Sequence, residues 1–334
     1  MTRRTTAAAL AAAATALVLT SCGLVADDTG DAGDAAADGP AGYPLTVRNC
    51  GADVTFPAPP ERVVLLKSAA VPFLAQLGVL DRVTARAGEY PRDYYDDATW
   101  AQLEQVPALT GETDTSGHLQ ISKEVVIGEE PDLVLGEVDN LSRSTLDSVG
   151  IPLLEEPAMC AEGVDEPGFD DVYAQLELYG EVFDREDEAA AAVEELEREV
   201  DALTAAPAGE RRTAAVLYPT VGGGVTYAYG NRSMAHPLLE AAGFDNVFGD
   251  TGERVFEVTS EELLGRDPDV LVLLHSTGDP ADVVDAVTSL PGVEDLSALR
   301  DDAVLPLLFN YVEPPTPLSV EGLARLRDHF GDQP

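Results

Sequence analysis

The chain has 334 residues, with 61 Asp and Glu against 20 Lys and Arg and a formal net charge of −41 at pH 7. Phosphate backbones demand a basic face, so nucleic acid is excluded as a partner, and an anionic membrane surface would repel the body of the chain. The acid excess keeps an Ala- and Gly-rich surface in solution, and lysine occurs only at Lys67 and Lys123.

Arg3 and Arg4, an apolar run over 7–19 and small residues before Cys22 have the form of a secretory signal. The run is too short to cross a bilayer, which takes ~20 apolar residues. Leu19-Thr20-Ser21-Cys22 resembles the lipobox of bacterial lipoproteins. That resemblance implies a signal peptide over 1–21 and acylation (palmitate) of the Cys22 thiol; the alternative is a secreted protein with an incidental cysteine. Residues 22–42, largely Ala, Asp and Gly, have little to bury and are expected to form a disordered tether. With Cys22 lipidated, Cys50 and Cys160 remain, and in an oxidising compartment they are expected to pair. Two separate buried thiols are the alternative.

From Tyr43 onward, short apolar runs alternate with amphipathic segments. Strands predicted at 63–66, 83–86, 132–135 and 152–154 alternate with helices at 71–77, 123–127 and 142–149. In the second half, strands at 214–218, 270–274 and 304–307 alternate with helices at 235–242, 260–264, 281–290 and 320–329. This alternation, with strands apolar throughout, predicts parallel sheets covered on both faces. Between the halves, Val172, Leu176, Tyr179 and Phe183 recur at helical spacing, break near Asp184-Arg185, and resume with Val193, Leu196, Val200 and Leu203. The halves also echo each other. Glu124 lies seven residues before Pro131-Asp132, and Glu261 seven before Pro268-Asp269. Each unit reads as a short capped helix, a Pro turn and a buried strand. The predicted fold is α/β: two similar lobes (43–169 and 206–334) with mainly parallel sheets, joined by a long bridging helix within 170–205, and a ligand cleft between the lobes.

Residues 47–66 (VRNCGADVTFPAPPERVVLL), 75–83 (AQLGVLDRV), the two Glu…Pro-Asp units and the bridging segment together resemble the helical-backbone (class III) solute-binding proteins of ABC importers for iron–siderophore complexes, haem and vitamin B12. Asn49-Cys50-Gly51 is similar to a lipoprotein subgroup of that family. The resemblance implies a monomeric, non-enzymatic, extracytoplasmic binding protein, lipid-anchored to the cell membrane and with no resident cofactor. Its implied cargo is a metal chelate, first of all a ferric siderophore, with cobalamin or another organic cofactor as runner-up. It further implies docking on an ABC permease through one exposed glutamate per lobe, which maps to Glu124 and Glu261. A first-turn glutamate also favours the dipole of any helix by ~0.3–1 kcal/mol.

Ligands in α/β sheets sit beyond the carboxyl ends of the strands. In the first half this rule selects Lys67, Ser68, Arg86, Glu89, Tyr90, His118, Glu137 and Asn140. In the second it selects Tyr218, Tyr227, Tyr229, Asn231, Arg232, His236, His275, Phe309, Asn310 and Tyr311. Lys67 and Arg232 are expected to meet an anionic ligand from opposite sides, and the aromatics to line an apolar or catecholate-like surface. Each is equally readable as a capped loop or half-buried core residue. The scarcity of cations favours a modestly anionic or neutral complex. Gly222-Gly223-Gly224 lacks the GxxxxGK[ST] pattern of a phosphate cradle, and no G-x-S-x-G nucleophile elbow occurs. His118, His236, His275 and His329 lie far apart in sequence. Convergence of three in the cleft would make a zinc or manganese carrier.

Overall fold

The computed structural model describes residues 42–113, 118–205 and 211–331. The signal segment, all but the end of the tether, and Cys22 lie outside the described residues. The first element is a hairpin that the sequence reading missed: β1 (Leu45–Asn49) and β2 (Ala52–Phe56) pair antiparallel. Its two-residue turn, Cys50-Gly51, has positive φ at both positions (47° and 72°), the turn whose twist matches that of the flanking strands. Cys50 is bonded there to Cys160, 110 residues away.

In the first lobe, β3 (Val63–Leu65), β4 (Val83–Arg86), β5 (Leu133–Leu135) and β6 (Leu153–Leu154) form an all-parallel sheet in the order β4-β3-β5-β6. The connecting helices are α1 (Val71–Gln76), α2 (Asp97–Leu103), α3 (Lys123–Gly128) and α4 (Arg143–Asp147). Side chains alternate across a sheet, so Val63 and Leu65 enter one apolar cluster and Val64 and Leu66 the other. Both faces being covered accounts for the uniformly apolar strands.

Two helices follow, α5 (Phe169–Phe183) and α6 (Glu186–Thr204), packed against each other. They are separated at Asp184, whose φ of 55° ends α5 in the left-handed region. Helix α6 touches α1 of the first lobe and also two helices of the second, so it is the bridge. At 1.5 Å per residue, its 19 residues span roughly 28 Å.

The second lobe contains β7 (Arg212–Pro219), β8 (Thr226–Tyr229), α7 (Ala235–Ala242), β9 (Phe244–Asn246), β10 (Val255–Val258), α8 (Ser260–Arg266), β11 (Val270–His275), α9 (Pro280–Thr288), α10 (Ser297–Arg300), β12 (Val304–Leu308) and α11 (Leu318–Phe330). Its sheet runs β10-β8-β7-β11-β12, with β9 parallel to the first half of β7. Strands β7, β9, β11 and β12 pair in parallel, whereas β8 and β10 are antiparallel. Tyr227 and Tyr229 therefore stand on a strand and not on a loop, because the Gly222–Gly224 turn folds the chain straight back along β7.

The duplicated units serve one mechanical purpose. Ser122 and Thr259 cap α3 and α8 by accepting from Val125 N–H and Glu262 N–H. Asp132 then accepts from the Glu61 and Arg62 amides (2.9 and 2.8 Å), at the start of the neighbouring strand β3. Asp269 does the same for β7, taking Thr213 N–H and Oγ1–H at 2.8 Å each. Each Pro-Asp thus registers its strand against a neighbouring strand, β3 in the first lobe and β7 in the second.

Candidate functional site

A cavity of about 300 Å³ opens beyond the carboxyl ends of β4, β11 and β12. On one side it is lined by Glu89, Tyr90, Pro91, Arg92 and Asp93 of the first lobe, and on the other by His275, Thr277, Gly278, Pro280 and Leu308 of the second. Of the predicted set it contains Glu89, Tyr90 and His275. The sequence reading missed its other residues: Pro91–Asp93 simply continue the loop it had entered at Glu89, and Thr277–Pro280 form the turn between β11 and α9. A Pro at the first position of α9 and a positive φ at Gly278 (86°) mark that turn.

Several further predicted residues close the floor of this seam. Asn310 donates from its backbone to Tyr94 Oη (2.9 Å) and from its side chain to Ser68 Oγ (3.0 Å). The Tyr311 hydroxyl donates to the Asp93 carbonyl, and its ring meets that of Tyr94 edge-on at 5.3 Å. Phe309 packs edge-on against Tyr218 at 5.9 Å, and the Tyr218 hydroxyl lies 3.0 Å from Ser276 Oγ. Arg86, at the end of β4, lays its guanidinium over the Tyr90 ring at 5.0 Å. Among the described residues it has no carboxylate partner, and its buried Nε has no hydrogen-bond acceptor. The buried Tyr95 hydroxyl lies beside Ser68, outside good hydrogen-bond geometry.

The remaining candidates stay within their own lobes. Asn140 donates to the Ile121 carbonyl (2.9 Å), and the adjacent Asp139 pairs with exposed His118 at 2.7 Å. Asn231 donates to the Gly249 carbonyl (3.1 Å), His236 sits 3.9 Å from Glu240 on α7, and Tyr229 is 3% exposed within the second-lobe core. Among the described residues no group of three or more His, Cys, Asp or Glu is arranged to hold a metal ion.

The two cations expected to grip an anion already have carboxylate partners. Lys67 binds buried Glu155 at 2.5 Å, with its stem packed on Gly136, where an added Cβ would approach Lys67 Cγ to 3.0 Å. Glu155 also accepts from the Glu137 and Glu156 amides (2.7 and 2.8 Å). Arg232 pairs across the seam with Asp165, on the loop that follows Cys160. Beside Glu155, Glu156 is buried without a cation of its own among the described residues. Burial, and then the charge of Glu155, push its carboxyl up to about 8, against the opposing effects of the Tyr179 hydroxyl at 3.0 Å and of Lys67. Burial also depresses His275, with the Thr277 backbone and the carboxylates of Asp279 and Asp93 pulling the other way.

Residues 63–307 match the periplasmic binding protein family. A cobalamin-binding protein of Halobacterium salinarum is 28% identical over 308 residues, covering 88% of this chain and 76% of that protein. The crystal structure of an ABC-type Fe3+-hydroxamate transport system from Saccharomonospora viridis superimposes with a TM-score of 0.83 at 57% identity, covering 86% of this chain and 99% of that one. A vitamin B12 binding protein of Vibrio cholerae shares the fold, with a TM-score of 0.59 at 16% identity over 81% of this chain and 96% of that one. No described helix is long and apolar enough to cross a membrane. A match spanning both sheets, with a crevice at the carboxyl ends of their strands, has one reading: the chain belongs to the periplasmic binding protein family.

Proposed function

We propose that this protein is the extracytoplasmic substrate-binding component of an ABC importer and that it carries a ferric hydroxamate. The observation that carries this reading is a buried donor beside the seam, Arg86 Nε, which has no acceptor among the described residues. A buried unmade hydrogen bond costs about 1–3 kcal/mol, and the oxygens of a hydroxamate complex are acceptors that would relieve it. The 57% identity to the Saccharomonospora viridis protein supports the same cargo. Cobalamin is the competing cargo, supported by the Halobacterium salinarum relative. A carrier of bare zinc or manganese has no such support. The protein catalyses no reaction in this reading; it captures, holds and delivers.

Trp100 stacks on Tyr95 with ring centroids 6.2 Å apart, so it reports on occupancy. Titrating the full-length protein with a ferric trihydroxamate, haem and cyanocobalamin should give saturable Trp100 quenching with the hydroxamate alone. Saturable binding of cobalamin without hydroxamate binding would replace the proposed cargo. Delivery is assigned to Glu124 and Glu261, which are exposed in the first turns of α3 and α8. Charge pairing at such a rim sets docking speed and register. The double variant E124A/E261A should lose uptake while binding cargo normally; unchanged uptake would refute the docking role. Anchoring rests on acylation of Cys22, so C22A should leave the membrane fraction and take up no labelled palmitate.

A further inference from the structure

Of the cations bordering the seam, all but Arg86 are paired with a carboxylate. Lys67 is held by Glu155, Arg232 by Asp165 and Arg92 by Asp97, while Arg86 lies over Tyr90. The carboxylates that line the cavity are different: neither Glu89 nor Asp93 has a cationic partner among the described residues, and both are exposed at its first-lobe wall. Across from them stands His275, 7% exposed, whose buried Nδ1 has no hydrogen-bond partner among the described residues. Its depressed proton affinity keeps the imidazole neutral near pH 7, so it does not offset the two acids. Two unpaired carboxylates thus outweigh the one unpaired cation, Arg86, on the wall that a cargo meets, with a neutral imidazole opposite.

Resting on the hydroxamate reading above, we infer that Glu89 and Asp93 select a cargo bearing a positive charge: a ferric trihydroxamate with a pendant ammonium. Three hydroxamates, each a monoanion, cancel the charge of Fe3+ and leave a neutral core, so a protonated amine gives the complex a net positive charge. A ferric tricatecholate, with three dianionic ligands, carries three net negative charges and would be repelled by the same wall. The neutral core suits the donor on Arg86, and the ammonium suits Glu89 and Asp93. His275 is left to hydrogen-bond a linker amide. The sequence-based expectation instead had Lys67 and Arg232 meet an anionic ligand; both are paired with carboxylates in the structure.

The test uses a linear ferric trihydroxamate with a terminal amine, the same complex acetylated at that nitrogen, and a ferric tricatecholate, each titrated against the full-length protein. The amine complex should bind about fivefold more tightly than the acetylated one, the range of an exposed ion pair. The preference should shrink as salt rises from 20 to 500 mM, roughly from a 20 to a 4 Å screening length, and the tricatecholate should bind weakest. In E89Q/D93N the ratio between the two hydroxamates should fall to one. Equal binding of the two by the native protein, or an unchanged ratio in the variant, would overturn the charge selection and leave the hydroxamate reading standing. Failure of both hydroxamates to bind would overturn the underlying reading and this inference with it.

Discussion

Replacing Glu156 by Gln isolates one buried proton. Glu156 is 4% exposed, and its Oε2 has no partner among the described residues while Oε1 accepts from Tyr179. The carboxyl titrates near 4.5 when solvated and near about 8 in the fold. Between those values the native state holds a proton that the unfolded chain has released, so stability falls as pH rises through this window and is flat on either side. At about 1.4 kcal/mol per pH unit, the loss reaches at most about 5 kcal/mol, reduced by whatever relaxation admits water to the ion. Gln keeps the acceptor for Tyr179 and cannot ionise. Its amide group is itself buried, so a constant penalty of about 1–3 kcal/mol is expected at every pH. Urea unfolding of wild type and E156Q at pH 5, 6.5, 8 and 9 separates the two effects, because groups other than Glu156 cancel in the difference. The variant should gain several kcal/mol relative to wild type between pH 5 and 8 and nothing beyond. Parallel profiles would show that Glu156 is ionised in the folded protein and would refute the desolvation argument.

Loss of the Cys50–Cys160 bond in C50S/C160S, which frees a 110-residue loop, should cost about 4–5 kcal/mol in the same unfolding assay on the chain-entropy model; an unchanged midpoint would mean that the bond adds nothing. Gly322 sits inside α11, where Ala would ordinarily add about 1 kcal/mol through helix propensity. Here an added Cβ would lie 1.9 Å from the Tyr311 carbonyl oxygen, so G322A should instead lower stability by about 3 kcal/mol, visible as a depressed thermal midpoint.

The parallel strands were legible because burial on both faces writes itself as uninterrupted Val, Leu and Ile, and the Glu…Pro-Asp repeat because caps and turns restrict residue choice. The positions of Asp132 and Asp269 were visible as a repeated Pro-Asp, but their task was not. Nothing local distinguishes a carboxylate that accepts from the amides of a strand some 56 to 71 residues away from one that faces water. The hairpin at Cys50-Gly51 was passed over for a related reason: its strands alternate Thr, Arg and Asp with Val and Phe, a pattern weaker than the apolar runs that follow. At the seam, the carboxyl-end rule found Glu89, Tyr90 and His275 because it is a rule of topology. It gave no sign that Lys67 and Arg232 are paired, because their partners, Glu155 and Asp165, come from elsewhere in the chain.

The same long-range pairing bears on how the protein works. Tyr311, Leu318 and Val320 follow the last strand of the second lobe, yet they are buried in the apolar cluster of the first. The lobes are therefore joined by α6 and again by the segment leading into α11, where Asn310 bonds Ser68 and the backbone of Asn310 bonds Tyr94. A wide hinge opening would break these bonds, separate the Tyr94–Tyr311 rings and expose apolar side chains from two cores. Free energy on that scale, at roughly 25 cal/mol per Å² of apolar surface, is not recovered by a rim ion pair such as Arg232–Asp165, worth about 0–1 kcal/mol. Loops can yield more cheaply than the cores. Glu89–Asp93 and Thr277–Gly278 are surface loops, and they are the segments that line the cavity. In the proposed function, local movement of these loops over a stiff base is the cheaper route for cargo, and it would leave Glu124 and Glu261 at a nearly constant spacing on their separate lobes. If docking runs through Glu124 and Glu261 as proposed, a permease reading that spacing alone would receive little signal of occupancy, and the loops lining the cavity would have to supply it.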